Sequence, residues 1–154
     1  MEKIWKYISA FLLIIIMVMV YKFIISGSTL KLSDNRQAIL LDSSERIFIL
    51  DEMNAFIVAI AEINRGLSEN NFDQIQKASA AVGEAARTSV EASVLKKLPL
   101  EFKAMGFQTH GGFEEISKMA ASRVSTSAIQ GKLGEVMQNC VACHSGYILP
   151  QPAK

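Results

Sequence analysis

The sequence predicts an all-α protein: an antiparallel four-helix bundle preceded by one N-terminal transmembrane helix. Three observations carry that expectation. No charged residue falls between Tyr7 and Tyr21. Apolar residues then recur at three-to-four spacing from about residue 43 to residue 147, with no convincing alternating strand pattern. Helix-start chemistry recurs between the periodic stretches. Of 154 residues, 50% are hydrophobic and 20% charged, which excludes a disordered chain. The formal charge of +1 provides no basic field, so nucleic acid is not an expected partner.

Residues 1–26 form the expected membrane anchor. The run from Phe11 to Val20 is unbroken hydrocarbon, and residues 4–25 suffice for a span, which needs about 20 residues. Lys6 and Lys22 can snorkel to headgroups, and Trp5, Tyr7 and Tyr21 suit the interfaces. A cleaved secretory signal is the competing reading, although Ser26-Gly27-Ser28 is a poor cleavage site. Either way the rest of the chain crosses the membrane. The sequence therefore points to a single-pass protein of the inner (cytoplasmic) membrane, its main domain in the periplasm or outside. Three of the 16 basic residues and one of the 15 acidic ones precede Gly27, which leaves 13 and 14 in a nearly neutral exported part.

Residues 27–42 read as a linker, with Gly27, Ser28, Ser33, Asp34 and Asn35 as breakers. The bundle is expected over residues 43–148. Its first helix covers about 43–67, with Ile49, Met53, Phe56, Ile60, Ile63 and Leu67 on one stripe. The second starts from Asn71 as N-cap with Gln74 as capping-box partner, and turns Ile75, Ser79, Val82, Ala86 and Val90 inward. Pro99 at a first helical position opens the third, whose stripe is Phe102, Gly106, Thr109, Phe113, Ile116 and Ala120. The fourth begins near Ser125 and carries Ile129, Leu133, Val136, Cys140, Cys143 and Tyr147 in step. Residues 149–154, with Pro150 and Pro152, are a tail. Short loops between helices of about 20 residues favour antiparallel neighbours.

Two of those inward knobs are cysteines. Cys140-Val141-Ala142-Cys143-His144 is a C-x-x-C-H sequence, the c-type haem attachment signature. Two thiols must reach two vinyl groups on one porphyrin edge, and the next histidine must stand under the iron. On a helix, positions 140, 143 and 144 share one face. One covalently attached haem c is therefore expected, with His144 as the proximal iron ligand. Three other readings compete. A thioredoxin-like pair belongs at a helix N-terminus, a zinc site built from Cys140, Cys143, His144 and His110 strains a tetrahedron, and a plain buried pair needs no histidine.

An exported four-helix bundle with this motif near its C-terminus resembles the cytochrome c′ / cytochrome c-556 family of class II c-type cytochromes, over about residues 43–148. Residues 134–139 resemble the family's approach to the first cysteine, and Tyr147 matches its aromatic residue three past the histidine. Ile148 stands where cytochromes c′ typically carry a basic residue, and the third helix departs from their usual segment. The resemblance implies an arginine on the first helix with the distal residue four positions later. Arg46 and Leu50 fit, so Arg46 is expected on a haem propionate. Leu50 would then cap an open iron. From the residues alone, Met53 or His110 could instead supply a sixth ligand. Met53 also fits plain core packing. His110 also fits a solvated flank, although Gly106, Gly111 and Gly112 beside it permit close approach of a flat ring.

The expected function is single-electron transport by a membrane-tethered monohaem cytochrome, with the membrane and a redox protein as partners. A second copy docking through the bundle helices is a further expected contact. The alternative is a five-coordinate haem protein that binds or scavenges NO or CO. No paired catalytic carboxylates, nucleophile with base, or phosphate loop is evident, so an enzyme is not expected.

Overall fold

The computed structural model describes residues 2–87 and 90–152. Residue 1 of the expected anchor, residues 88 and 89 of the expected second helix, and residues 153 and 154 of the tail lie outside the described residues. The chain is mostly helical, at 76%.

Helix α1 (Glu2–Val20) continues through a π-helical turn, Tyr21–Ser26. The stretch Ile4–Ser26 is apolar and long enough to cross a membrane, with a mean hydropathy of 2.7 and none of its most apolar window buried. Its 23 residues reach about 35 Å at 1.5 Å each.

The expected linker is instead strand-bearing. Strands β1 (Thr29–Lys31) and β2 (Gln37–Ile39) pair antiparallel, with Leu30 opposite Ala38. Asn35 closes their turn at a left-handed φ of 68°. Strand β3 (Tyr147–Ile148), directly after the last helix, pairs parallel with β2. Strands of two or three residues are too short to print an alternation, which is why periodicity misses them.

Helix α2 (Ser43–Glu69) opens with a full capping box: Glu45 N–H donates to Asp42 Oδ1 at 3.0 Å, and Asp42 N–H to Glu45 Oε2 at 3.0 Å. Asn70 ends it in the left-handed region, at φ 54°. Asn71 caps α3 (Phe72–Ala80), accepting the Gln74 N–H at 3.1 Å. This helix stops about ten residues before the expected end at Val90. The chain turns at Val82 and Gly83, and the freed Val82 carbonyl meets His110 Nδ1 at 2.9 Å. Short helices α4 (Glu84–Arg87) and α5 (Ala92–Lys97) follow. Pro99 is the N-cap rather than the first helical residue of α6 (Leu100–Ala121). Ser125 caps α7 (Thr126–Gly146).

Helix α2 packs on α3, α3 on α6, α6 on α7, and α7 on α2. Their stripes build two apolar clusters. The upper one centres on the fully buried Ile63, Ile75, Phe113, Ile116 and Ile129. The lower one joins Ile39, Leu41, Ile49, Val94, Leu98, Phe102 and Tyr147 at the end that receives the strands.

Candidate functional site

Between α2, α6 and α7 lies a cavity of about 510 Å³, walled by residues that include Met53, Phe102, Gly106, Cys140, Cys143 and His144. It begins at the level of His110, where α3 has ended. A smaller cavity of about 220 Å³ shares Leu50, Met53, Phe102, Cys143 and His144 with it and adds Arg36 and Tyr147. Together they follow the wall that carries the C-x-x-C-H residues.

That wall is the last turn of α7. Cys140 and Cys143 are half-buried free thiols, and His144 is exposed. Burial pushes the Cys143 thiol up to about 11, helped by Cys140 beside it. Burial also raises Cys140. The negative end of the helix dipole opposes thiolates here too. A thioredoxin-like exchange pair needs the reverse electrostatics. The four-ligand zinc set is not assembled either, since no three His, Cys, Asp or Glu side chains converge as a metal site among the described residues.

Tyr147 locks the end of α7. Its N–H donates to the Cys143 carbonyl, its hydroxyl donates to Glu101 Oε2 at 3.2 Å, and its ring meets Phe102 edge-on at 5.5 Å. Burial, with the Glu101 charge second, pushes its hydroxyl up to about 12.

Leu50 and Met53 line both cavities, next to Cys143 and His144. Ile57 lines the larger one near its mouth and is 65% exposed. Arg46 does not line either cavity. Its Nε donates to the Leu149 carbonyl at 3.0 Å, tying α2 to the C-terminal segment. The arginine on the smaller cavity is Arg36, which Asp34 holds through a 2.7 Å ion pair. Sequence reasoning missed it because it belongs to the hairpin read as a linker.

His110 is buried, not solvated. Its ring packs edge-on against Phe56 at 5.0 Å, and Nε2 lies 3.2 Å from Glu52 Oε1. Nδ1 faces the Val82 carbonyl at 2.9 Å and donates to it. Serving iron would require Nε2 to give up Glu52. The sequence did not single out Glu52, because nothing in it pairs that carboxyl with His110.

Comparison of the chain with family models, with curated proteins and with solved structures finds no match.

Proposed function

We propose that the protein is a membrane-tethered monohaem c-type cytochrome that carries single electrons on the exported side of the inner membrane. In this reading the four packed helices form a four-helix bundle resembling the cytochrome c′ / cytochrome c-556 family. The observation that carries it is the convergence of Cys140, Cys143 and His144 on one apolar cavity. A volume of about 510 Å³ falls within the range of cofactor pockets. A Cβ on Gly106 would meet nothing within 4 Å, so the α6 wall leaves room for a flat group.

Haem c, when bound, supplies a one-electron iron couple whose potential follows its axial ligands and burial. Cys140 and Cys143 would hold it through thioethers and His144 through its imidazole. Phe102, Met105 and Ile60 give the cavity an apolar lining. Met53 on α2 and Met105 on α6 are the thioethers on that wall, and His110 is the second imidazole, already engaged with Glu52. The alternative, a five-coordinate binder of NO or CO, draws support from Leu50, which lines both cavities and cannot ligate.

The test is protein matured in an exporting host with haem-attachment machinery. Haem should survive acid-acetone extraction, and its loss would refute covalent attachment. A low-spin reduced spectrum that turns high-spin in Met53→Ala supports the electron carrier. A high-spin spectrum in the unaltered protein, shifted by CO, puts the gas binder in its place.

A further inference from the structure

The join between the apolar helix and the domain is built, not loose. Ser28 N–H donates to the Lys97 carbonyl at 2.7 Å, and Lys103 Nζ donates to the Ile24 carbonyl at 3.1 Å. Gly27, at φ 62°, lies so close to the turn at Lys97, Leu98 and Pro99 that a Cβ would overlap its backbone. The end of the span and the start of α6 are thus packed together.

Around this join exposed leucines and lysines stand near the Asp42 and Glu101 carboxylates, which Lys97 and Tyr147 engage. Ile39 and Leu41 are buried in the lower core. The register places Leu30 opposite the small, buried Ala38 on the other face, with Leu40 as its diagonal neighbour. Leu30 is 57% exposed, Leu40 48% and Leu100, which follows the Pro99 that meets Gly27, 46%. Lys31 and Lys96 are exposed as well, and among the described residues neither has a carboxylate partner.

The geometry points to the base of the domain — Leu30, Leu40 and Leu100 with Lys31 and Lys96 — as a docking face for an anionic phospholipid surface. The inference rests on reading residues 4–26 as a retained anchor. Continuity decides the occupant, because the face is packed against the helix that would enter the bilayer. Leucines then sit in the interface while lysine ammonium groups reach anionic headgroups. Phe102 and His110 lie two and ten residues along α6 from Leu100, so the cavity wall falls within about 15 Å of that face at 1.5 Å per residue.

The experiment uses the full chain, with Trp5→Phe, in vesicles containing anionic lipid, and a single tryptophan at Leu40→Trp, Leu100→Trp or Val58→Trp. Val58 is 63% exposed midway along α2 and serves as the remote control. Brominated lipid should quench positions 40 and 100 and spare 58. Lys31→Gln and Lys96→Gln should each weaken docking roughly fivefold in anionic vesicles. If the protein stays in the membrane through high salt while lipid quenching at 40 and 100 merely equals that at 58, docking is wrong and the anchor stands. Release by high salt alone would reject the anchor and the docking face with it. Shielding of positions 40 and 100 from both brominated lipid and aqueous acrylamide would mean that a second copy covers the face, which also overturns the proposal. Should a tryptophan variant not fold, hydrogen exchange on the unaltered chain gives the same answer: amides of 29–40 should slow when anionic vesicles replace detergent.

Discussion

The same long helices build two halves that differ in how they are held. In the upper half Phe113, Ile116 and Ile129 are fully buried, and two glycines mark the closest approaches. A Cβ on Gly112 would strike Val136, and one on Gly66 would strike Ile75. In the lower half Gly106 faces open space, and the helices stand apart around the cavity. Polar ties hold this end instead: the Asp42–Glu45 cap, Lys97 on both of those carboxylates, Arg46 on Leu149, and Tyr147 on Glu101. Apolar closure supplies stability in one half. The other half gives up closure and keeps a pocket.

The contrast can be broken by unequal mutations. Phe113→Ala should cost about 3–5 kcal/mol in denaturant unfolding, whereas Met53→Ala, half-buried on the cavity wall, should cost less than about 2 kcal/mol without haem. Equal losses would mean that the lower half is packed as tightly as the upper. Next in size are the glycines. Gly112→Ala should destabilise by about 1–3 kcal/mol through overlap with Val136. Gly106→Ala should gain up to about 1 kcal/mol from helix propensity alone. Gly106→Leu sharpens the point, because it should lower haem loading, read from the haem-to-protein absorbance ratio, while the apoprotein stays folded.

The smallest effect concerns acid. The backbone bond from Glu45, then Ser44 and Lys97, hold the Asp42 carboxyl at about 2, below its ordinary 3.8. A lowered folded value stabilises fully above 3.8, and that contribution fades as pH falls towards 2. Hydrogen exchange should therefore show the start of α2 loosening across that window before the upper half responds. Asp42→Asn should flatten the dependence, and an unchanged profile would remove Asp42 as its source.

What the sequence revealed followed from period and from chemistry written within a few residues. The starts of α3 and α7 were legible because Asn71 and Ser125 accept from backbone N–H groups three residues on; Asp42 does the same at the start of α2, which its apolar stripe marked instead. The inward stripes of α2, α6 and α7 were legible for the same local reason. The early end of α3 was hidden, since it depends on Val82 meeting His110, 28 residues further along. So was the sheet, whose strands are too short to alternate. At the site, Cys140, Cys143, His144, Leu50 and Met53 were all named in advance and all line the cavities. Arg36 and Glu52 were not, because each reaches the site through a long-range fold contact rather than a spacing rule.

The pairing of β2 with β3 also sets an order of assembly. Gln37 and Ala38 precede their partners Tyr147 and Ile148 by 110 residues, so this pairing waits until everything from α2 to α7 has been made. A contact across so long a separation closes late, since the loop-closure entropy must be met before the contact forms. Until that moment the residues just beyond the last turn of α7 lack their strand partner. The lower half thus depends on a strand pairing across 110 residues that closes only once α7 is in place.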